Sequence, residues 1–314
     1  YGESEALGFY LLGGGYYHQF NGGKLSTLLT GDIYSKGSWG ISNSTAYKVR
    51  YKYNGQFQIN FRNVVQGEKQ FPNYVKSREF FIRWNHINDP KFNPGSNFRA
   101  KVNAGTSTNF RNDYNNISTA NYLSNTFNSN IAWSKQFKGK ISSNLSTNLR
   151  HSQNSNTGLM TFTVPEISYN INRFYPLKML RKKSINKNFI HEMINQTNVN
   201  YQLNTKNEFS VANQNFFQNS FNTILDKSRN GMKHNISASS SIKLFGKNVT
   251  INPAYQLSSI WYLEQINKNW DFNNNEVIND TINKFSRLSS QSLSASATTK
   301  IYAFYQFAKF LQGK

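Results

Sequence analysis

The stretch Ser44–Arg62 reads STAYKVRYKYNGQFQINFR. Its odd positions from 47 to 61 carry aromatic or branched residues, apart from Gly55, and its even positions from 48 to 62 carry Lys, Arg, Gln or Asn. Successive side chains of a β-strand point to opposite faces, so this period of two predicts strands with one apolar and one basic face. The Asn54-Gly55 pair favours a type I′ turn, and we predict a hairpin turn there.

The same alternation recurs along the chain. Where Met160, Phe162 and Val164 give way to Ile167 and Tyr169, its phase shifts by one residue, which predicts a β-bulge at Pro165. Ser35–Ser38 is predicted as a tight turn. Further strands are predicted around Leu25–Ile33, Phe80–Trp84, Val102–Ala104, Ile131–Trp133, Ile141–Leu149, Val199–Leu203 and Val249–Leu263.

The connections between these strands are predicted to be of two kinds, with short turns on one rim and longer polar loops on the other, as in outer-membrane barrels. Pro253 falls inside the longest predicted strand, where it indicates either a bulge or a weakened strand. The long loops are predicted at Asn85–Asn97, Arg111–Tyr122, Lys178–Asn188 and Trp270–Lys284.

The composition favours a membrane barrel. Only 37% of the 314 residues are hydrophobic, yet 15% are aromatic. A barrel that is apolar only towards lipid, with aromatic girdles and a polar lumen, combines these two properties. We predict an all-β fold, an antiparallel transmembrane β-barrel of the outer-membrane type. Residues 1–314 are expected to form a partial barrel of about 14–16 strands from a larger one.

The net charge of +21 follows the alternation instead of forming a tail. A Lys or Arg that faced lipid near the bilayer midplane would cost about 2–4 kcal/mol, so the alternating cations are predicted to face the lumen. Either they guide an anionic cargo, or they only solvate the interior. The predicted lumen-facing cations are Lys48, Arg50, Lys52, Arg62 and Arg83.

Signals for catalysis are weak. The five histidines show no metal-ligand spacing, there is no Cys, and Gly13–Gly15 lacks the context of a phosphate-binding loop. We therefore expect no enzyme, no cofactor and no metal site. Nucleic-acid binding is also not expected, because aromatic and basic side chains fall on opposite faces of the strands.

Several strings of the sequence resemble the LptD (OstA) family of lipopolysaccharide (LPS) assembly proteins, in its Bacteroidota form. The resemblance covers residues 1–180 well and the remainder only by strand character. The strings are LGFY at Leu7–Tyr10, GGGYY at Gly13–Tyr17, GDIYSKGSWG at Gly31–Gly40, FIRWNH at Phe81–His86, DPKFNPGSNF at Asp89–Phe98, RHSQ at Arg150–Gln153, Pro165-Glu166 and NRFYP at Asn172–Pro176.

The resemblance implies an outer-membrane barrel plugged by an LptE-like lipoprotein. Such a barrel receives LPS from an LptA-like periplasmic bridge and inserts it into the outer leaflet through a lateral opening. Residues 1–314 would be the N-terminal part of the barrel, without the periplasmic jellyroll and the closing strands. The lateral seam would then lie beside Leu7, Phe9 and Leu11. There are no cysteines for the disulfides of some relatives, so oxidative control of maturation is not implied.

Two alternatives to LPS insertion remain open from the sequence. One is a porin, nutrient transporter or protein-secretion barrel whose lumen passes soluble cargo. The other is a surface-exposed structural β protein with no transport role.

Overall fold

The computed structural model describes residues 1–5, 7–106, 126–154, 157–180, 195–212, 228–244, 248–272 and 275–300. Strands dominate this part of the chain, as the period of two predicts. A short α-helix, α1, spans Pro176–Leu180, and a 3-10 helix spans Asn21–Gly23. Within the same residues, no helix has the length and apolarity needed to cross a lipid bilayer.

The described chain forms seventeen strands. Fifteen of them build one antiparallel sheet, in the order β1 to β12 followed by β14 and β13, with β17 also paired to β14. β15 and β16 form a separate hairpin. The strands are β1 Gly2–Ser4, β2 Gly8–Phe20, β3 Leu25–Tyr34, β4 Trp39–Val49, β5 Tyr53–Gln66, β6 Val75–Asn88, β7 Ser96–Gly105, β8 Thr126–Phe137, β9 Ser143–Asn154, β10 Leu159–Phe174, β11 Asn198–Ala212, β12 Arg229–Ser239, β13 Ile242–Leu244, β14 Val249–Tyr262, β15 Gln265–Asp271, β16 Glu276–Ile282 and β17 Ser286–Thr299.

This architecture confirms the predicted fold class, an all-β antiparallel sheet of the outer-membrane barrel type. The sheet is a run of sequential neighbours, and no pairing joins β1 to the last strands within the described residues. The long strand predicted at Val249–Leu263 is confirmed as β14.

The register of the sheet assigns every strand residue to one of two faces, because directly opposite residues of an antiparallel pair project on the same side. We call the two sides the apolar face and the polar face. One row of the apolar face crosses β3 to β9 through Leu25, Tyr47, Gly55, His86, Ala100, Ile131 and Leu149. The adjacent row of the polar face reads Ser26, Ala46, Gln56, Asn85, Lys101, Asn130 and Arg150.

The hairpin turn predicted at Asn54-Gly55 is wrong. β4 ends at Val49 and β5 begins at Tyr53, so the turn consists of residues 50–52. The Lys52 N–H donates a hydrogen bond of 3.0 Å to the carbonyl oxygen of Val49, and Tyr51 adopts the left-handed region with φ of 63°.

The need to keep the apolar residues of both strands on one face of the sheet explains the length of this turn. A two-residue turn at 54–55 would place Tyr53 opposite Gln56, and thus odd residues opposite even ones. Aromatic and amide side chains would then share a face. The three-residue turn instead pairs Val49 with Tyr53 and Thr45 with Phe57, so the odd residues stay together. Burial of one consistent apolar face outweighs the local preference of Asn-Gly.

The bulge predicted at Pro165 is confirmed. The register of β10 shifts between Thr163 and Glu166 against both of its neighbours, so one extra residue keeps Phe162 and Ile167 on the apolar face. Pro253 causes no register shift. It lies where one edge of β14 changes partner, from β12, which reaches Ala254, to β13, which begins to pair at Ile251.

The predicted division into a short-turn rim and a long-loop rim is wrong in part. The predicted turn at Ser35–Ser38 is confirmed between β3 and β4. The loop predicted at Asn85–Asn97 shrinks to residues 89–95, and the loop predicted at Trp270–Lys284 contains β16. Most of the other two predicted loops, residues 111–122 and 181–188, lies outside the described residues. The two connections lie at opposite rims of the sheet. β7 and β10 run in opposite directions, so β7 ends at one rim and β10 ends at the other.

Gly55, the residue expected in the turn, lies within β5. Its lack of a side chain allows Tyr47 on β4 to contact aromatic residues of β6 across it. The Tyr47 hydroxyl hydrogen-bonds His86 Nδ1 at 2.7 Å, and Trp84 Nε1 donates to the same hydroxyl at 2.8 Å. A Cβ at Gly55 would overlap the Tyr47 phenol and lie 2.6 Å from the carbonyl oxygen of Asn85. Glycine is therefore required here by close approach, and the Tyr47 ring covers its backbone.

The substitution Gly55→Ala should destabilise the barrel by about 1–3 kcal/mol, because the added methyl group overpacks against Tyr47 and a backbone oxygen that cannot move away. The measurement is the temperature at which the full-length protein loses its folded mobility on gels. Gly14→Ala is the matched control, since its Cβ would lie 3.7 Å from the nearest atom, an ordinary contact. Equal stability of the two variants would contradict the interpretation.

Candidate functional site

The polar face of the sheet carries two cavities of comparable size. Both are lined largely by polar-face side chains. The first, of about 670 Å³, lies against β3 to β8, and the second, of about 620 Å³, lies against β7 to β11. They differ in their acidic residues, because among the described residues only the second cavity has a carboxylate, that of Glu208, in its lining.

The first cavity is basic, and we call it the basic cavity. Lys48, Arg99 and Lys101 line it, with Gln56, Asn85 and Asn130 among the polar residues of the same wall. None of the described residues that line it is acidic. β4 and β7 are three strand spacings apart, so the Cα atoms of Lys48 and Arg99 are separated by about 14 Å across the sheet. This spread suits a ligand with more than one anionic group better than a single small anion.

The strands place these cations by alternation. Lys48 lies next to the end of β4, and Arg99 and Lys101 lie near the start of β7. Lys48 and Arg99 therefore lie near the rim that carries the turn of residues 50–52, and Lys101 lies two residues further into β7. The sequence prediction found Lys48 but missed Arg99 and Lys101. The signal was present, since Phe98, Ala100 and Val102 alternate with them on β7.

The second cavity shares Lys101 with the basic cavity, but its lining also contains a carboxylate, that of Glu208. Its cations include Arg150 and Lys206, which pair with carboxylates: Arg150 Nη2 lies 2.6 Å from Glu166 Oε2, and Lys206 Nζ lies 2.6 Å from Glu208 Oε2. Such partly exposed pairs contribute little stability. They offset part of the positive charge of the second cavity, whereas none of the described residues that line the basic cavity is acidic.

Arg62 also meets carboxylates. It lies directly opposite Glu79 on the polar face, and both line a small cavity of about 40 Å³ together with Asp32. Glu79 is buried, with 1% of its surface exposed. Gly40 lies between Asp32 and Arg62 in the register, and its missing side chain leaves room for the Arg62 side chain above β4.

The remaining predicted cations are elsewhere. Arg50 and Lys52 lie in the β4–β5 turn, so strand alternation does not direct them into the lumen, contrary to the prediction. The Arg50 guanidinium carbon is 4.7 Å from the centre of the Tyr51 ring, and Lys52 Nζ is 5.5 Å from that of Phe92. Arg83 does lie on the polar face, opposite Gln58 and 5.3 Å from the Phe81 ring centre.

The three residues predicted at the lateral seam lie at the β1 end of the sheet. Phe9 and Leu11 belong to β2 and are exposed on the apolar face, whereas Leu7 precedes the strand and is buried. A bulge between Leu11 and Gly14 follows, where the Gly13 N–H donates to Asp32 Oδ1 at 2.8 Å. Their position at an end of the sheet is compatible with a seam, and that role stays a prediction.

The histidines lie apart from one another. His18, His86, His151 and His234 all project on the apolar face, each within a different aromatic neighbourhood. The fifth, His191, lies outside the described residues. In the part of the chain that the structure describes, no three His, Asp or Glu side chains come together in an arrangement that could hold a metal ion.

An antiparallel sheet with one apolar and one polar, cation-bearing face defines the wall of an outer-membrane-type β-barrel. The chain belongs to the LptD protein family, whose family model matches residues 1–314. This is a family of LPS transport and assembly proteins of the cell envelope and not an enzyme family. No curated protein matches the sequence.

Glu79→Gln should lower the stability of the folded barrel by about 1–3 kcal/mol, because it removes the charge of a buried carboxylate opposite Arg62. Thermal unfolding of the full-length protein in detergent measures the change. Glu68→Gln, in an exposed connection, is the control and should have little effect. The double variant Arg62→Met, Glu79→Gln should lose less stability than the sum of the single variants, and strict additivity would argue against coupling.

Proposed function

We propose that this chain forms part of an outer-membrane barrel that inserts LPS into the outer leaflet through a lateral opening, without catalysis. The observation that carries the proposal is the basic cavity on the polar face, which is backed by a continuous apolar face on the same strands. A substrate with phosphorylated headgroups and several acyl chains needs both environments side by side. A barrel for small soluble cargo needs only the polar one.

The headgroup path in this proposal runs along the basic cavity. Lys48, Arg99 and Lys101 donate charge-assisted hydrogen bonds to phosphate groups, and Arg99 can bind a phosphate with two parallel N–H donors. The amides of Gln56, Asn85 and Asn130 contact the sugar hydroxyls between the charges. Arg83 extends the same face and is the next cation along β6. Arg62 has a different role, since it is balanced by Asp32 and Glu79.

The acyl chains in this proposal leave through a seam beside Phe9 and Leu11. Both side chains are exposed on the apolar face, 66% and 57% respectively, at the β1 end of the sheet. The hydrogen bond from Gly13 to Asp32 holds the bulge that follows. Glycine at this bulge allows the start of β2 to bend without a steric cost from side chains.

The proposed partners follow from the same arrangement. An LptE-like lipoprotein fills the lumen and contacts the polar face, and an LptA-like bridge delivers LPS from the periplasm. The proposed location is the outer membrane, with the apolar face against hydrocarbon. Residues 1–314 are proposed to form the N-terminal part of the barrel.

Reversal of the three cavity charges, with Lys48→Glu, Arg99→Glu and Lys101→Glu together, should slow the appearance of LPS at the cell surface at least about tenfold. Each lost charge-assisted hydrogen bond contributes about 1.5–3 kcal/mol, and about 1.4 kcal/mol corresponds to a factor of ten. Surface LPS is measured in cells that depend on the variant, with barrel abundance in the outer membrane checked in parallel.

The matched control is the triple variant Arg50→Glu, Lys52→Glu and Lys69→Glu. It makes the same change in net charge at exposed positions in connections outside the basic cavity. It should leave surface LPS unchanged. An equal effect of both triple variants, with normal barrel assembly, would reject the proposed headgroup path.

Photo-crosslinking amino acids at Phe9 and Leu11 should form adducts with LPS in living cells, because the proposed acyl path passes these side chains. The same amino acid at Ile59 serves as the control, since Ile59 is also exposed on the apolar face but lies three strands further along the sheet. Adducts are detected with an antibody against LPS. Equal yields at the three positions would argue against a seam beside β2.

A further inference from the structure

A cluster of exposed cations and apolar side chains lies at the rim where β6 and β8 end. It is formed by the β6–β7 connection, residues 89–95, by the β8–β9 connection, residues 138–142, and by the last residues of β8. The Gln136 N–H donates a hydrogen bond of 2.6 Å to the carbonyl oxygen of Gly95, so the two connections lie side by side. We call this cluster the basic rim. Its members, all exposed, are Lys91, Phe92, Lys135, Phe137, Lys138, Lys140 and Ile141.

The cations of the basic rim are not paired with carboxylates. Within the part of the chain that the structure describes, none of the four ammonium groups forms an ion pair. The one acidic residue of the two connections is Asp89, whose Oδ1 accepts a hydrogen bond of 2.8 Å from the backbone N–H of Lys91. Four exposed positive charges therefore lie close together without a compensating charge from the described residues.

Lys135 indicates which surroundings these charges meet. It lies on the apolar face, directly opposite Leu145 of β9 and two residues before the end of β8. Its Nζ atom is 5.2 Å from the ring centre of Phe137, the last residue of the strand. The ammonium group is thus directed along the strand towards the rim. A lysine on a lipid-facing surface adopts this arrangement, because its stem lies along hydrocarbon while its charge reaches the headgroups.

Exposed apolar side chains alternate with the cations of the basic rim. Phe92 follows Lys91, and the run Phe137–Ile141 places two lysines between an aromatic and an aliphatic residue. This combination is typical of segments at the boundary between headgroups and acyl chains. A soluble acidic protein could match the charges of the connections, but it could not reach Lys135 on the face that meets lipid. The ligand that matches the whole cluster is a lipid with an anionic headgroup.

From this geometry we infer that the basic rim binds the headgroups of anionic phospholipids in the bilayer around the barrel. The phosphate of one lipid lies at the ammonium group of Lys135, and its acyl chains extend along the apolar face past Leu145. Lys91, Lys138 and Lys140 attract the headgroups of the neighbouring lipids.

The inference rests on the proposed membrane position of the apolar face and not on the proposed path of LPS. The basic cavity is lined largely by polar-face side chains and shares no residue with the basic rim. Phospholipid binding at the rim and headgroup passage through the cavity can therefore fail separately.

The test replaces Phe137 of the full-length protein with benzoylphenylalanine, a photo-crosslinking amino acid that keeps an aromatic ring beside Lys135. The protein is reconstituted in vesicles of equal parts phosphatidylglycerol and phosphatidylcholine with identical acyl chains. Mass spectrometry counts the adducts of each lipid. Phosphatidylglycerol adducts should exceed phosphatidylcholine adducts about fivefold, as one cation near each headgroup predicts. At Ile59, a mid-strand residue that is exposed on the apolar face, both lipids should be labelled equally.

The triple variant Lys135→Gln, Lys138→Gln and Lys140→Gln should abolish the preference for phosphatidylglycerol, because glutamine is polar but carries no charge. The matched control, Lys69→Gln, Lys268→Gln and Lys284→Gln, makes the same change in net charge at exposed positions of the opposite rim and should keep the preference. High salt should weaken the preference in the unmodified protein, since it screens exposed charges.

Equal labelling by the two lipids at Phe137, or a preference that survives the basic-rim variant, would overturn the inference. Adducts in cells with LPS or with a protein in place of phospholipid would overturn the assignment of the ligand. Absence of lipid adducts at both Phe137 and Ile59 would contradict the membrane position of the apolar face and the inference with it. The path of LPS is tested separately by the basic-cavity variants.

Discussion

A strand surrounded by hydrocarbon has no water to bond its backbone, so its N–H and C=O groups must be satisfied by neighbouring strands. In this protein that requirement links strands across a fifteen-stranded sheet. Once neighbours are paired, the phase of one strand determines the phase of the next. Tyr47 on β4 and Trp261 on β14 are thereby held on the same face. Departures from regular pairing preserve this order, as the bulge at Pro165 does for β10.

The charge distribution is a consequence of the same constraint. Cations are costly near the middle of the face that meets lipid, so mid-strand cations such as Arg83 lie on the polar face, whereas Lys135 and Arg287, which share the apolar face, lie near strand ends. The polar-face cations named above differ in whether a carboxylate lies close to them. Arg62, Arg150 and Lys206 meet carboxylates on neighbouring positions, whereas Lys48, Arg99 and Lys101 surround a cavity without acidic lining. Pairing of some cations leaves a localised site of positive charge in a protein that is basic throughout.

Local sequence signals were reliable only where they agreed with the parity of the faces. Asn54-Gly55 is a strong turn signal, but a two-residue turn there would have mixed aromatic and amide side chains on each face. The apolar residues before and after the turn all have odd numbers. They can share one face only if the turn contains an odd number of residues. The wrong position of the turn also made the prediction for Arg50 and Lys52 wrong. Both were predicted on a strand face, and both lie in the turn.

The sequence by itself determined the all-β class, the two faces of each strand and the bulge at Pro165, because side-chain alternation is a local property of an extended backbone. It did not determine which residues of different strands meet. The basic cavity depends on Lys48 and Arg99 reaching one space from β4 and β7, and the contact of Arg62 with a carboxylate depends on Glu79 lying opposite it on β6. Only the tertiary structure decided these features, because the register between strands is a long-range property set jointly by turn length, bulges and side-chain packing.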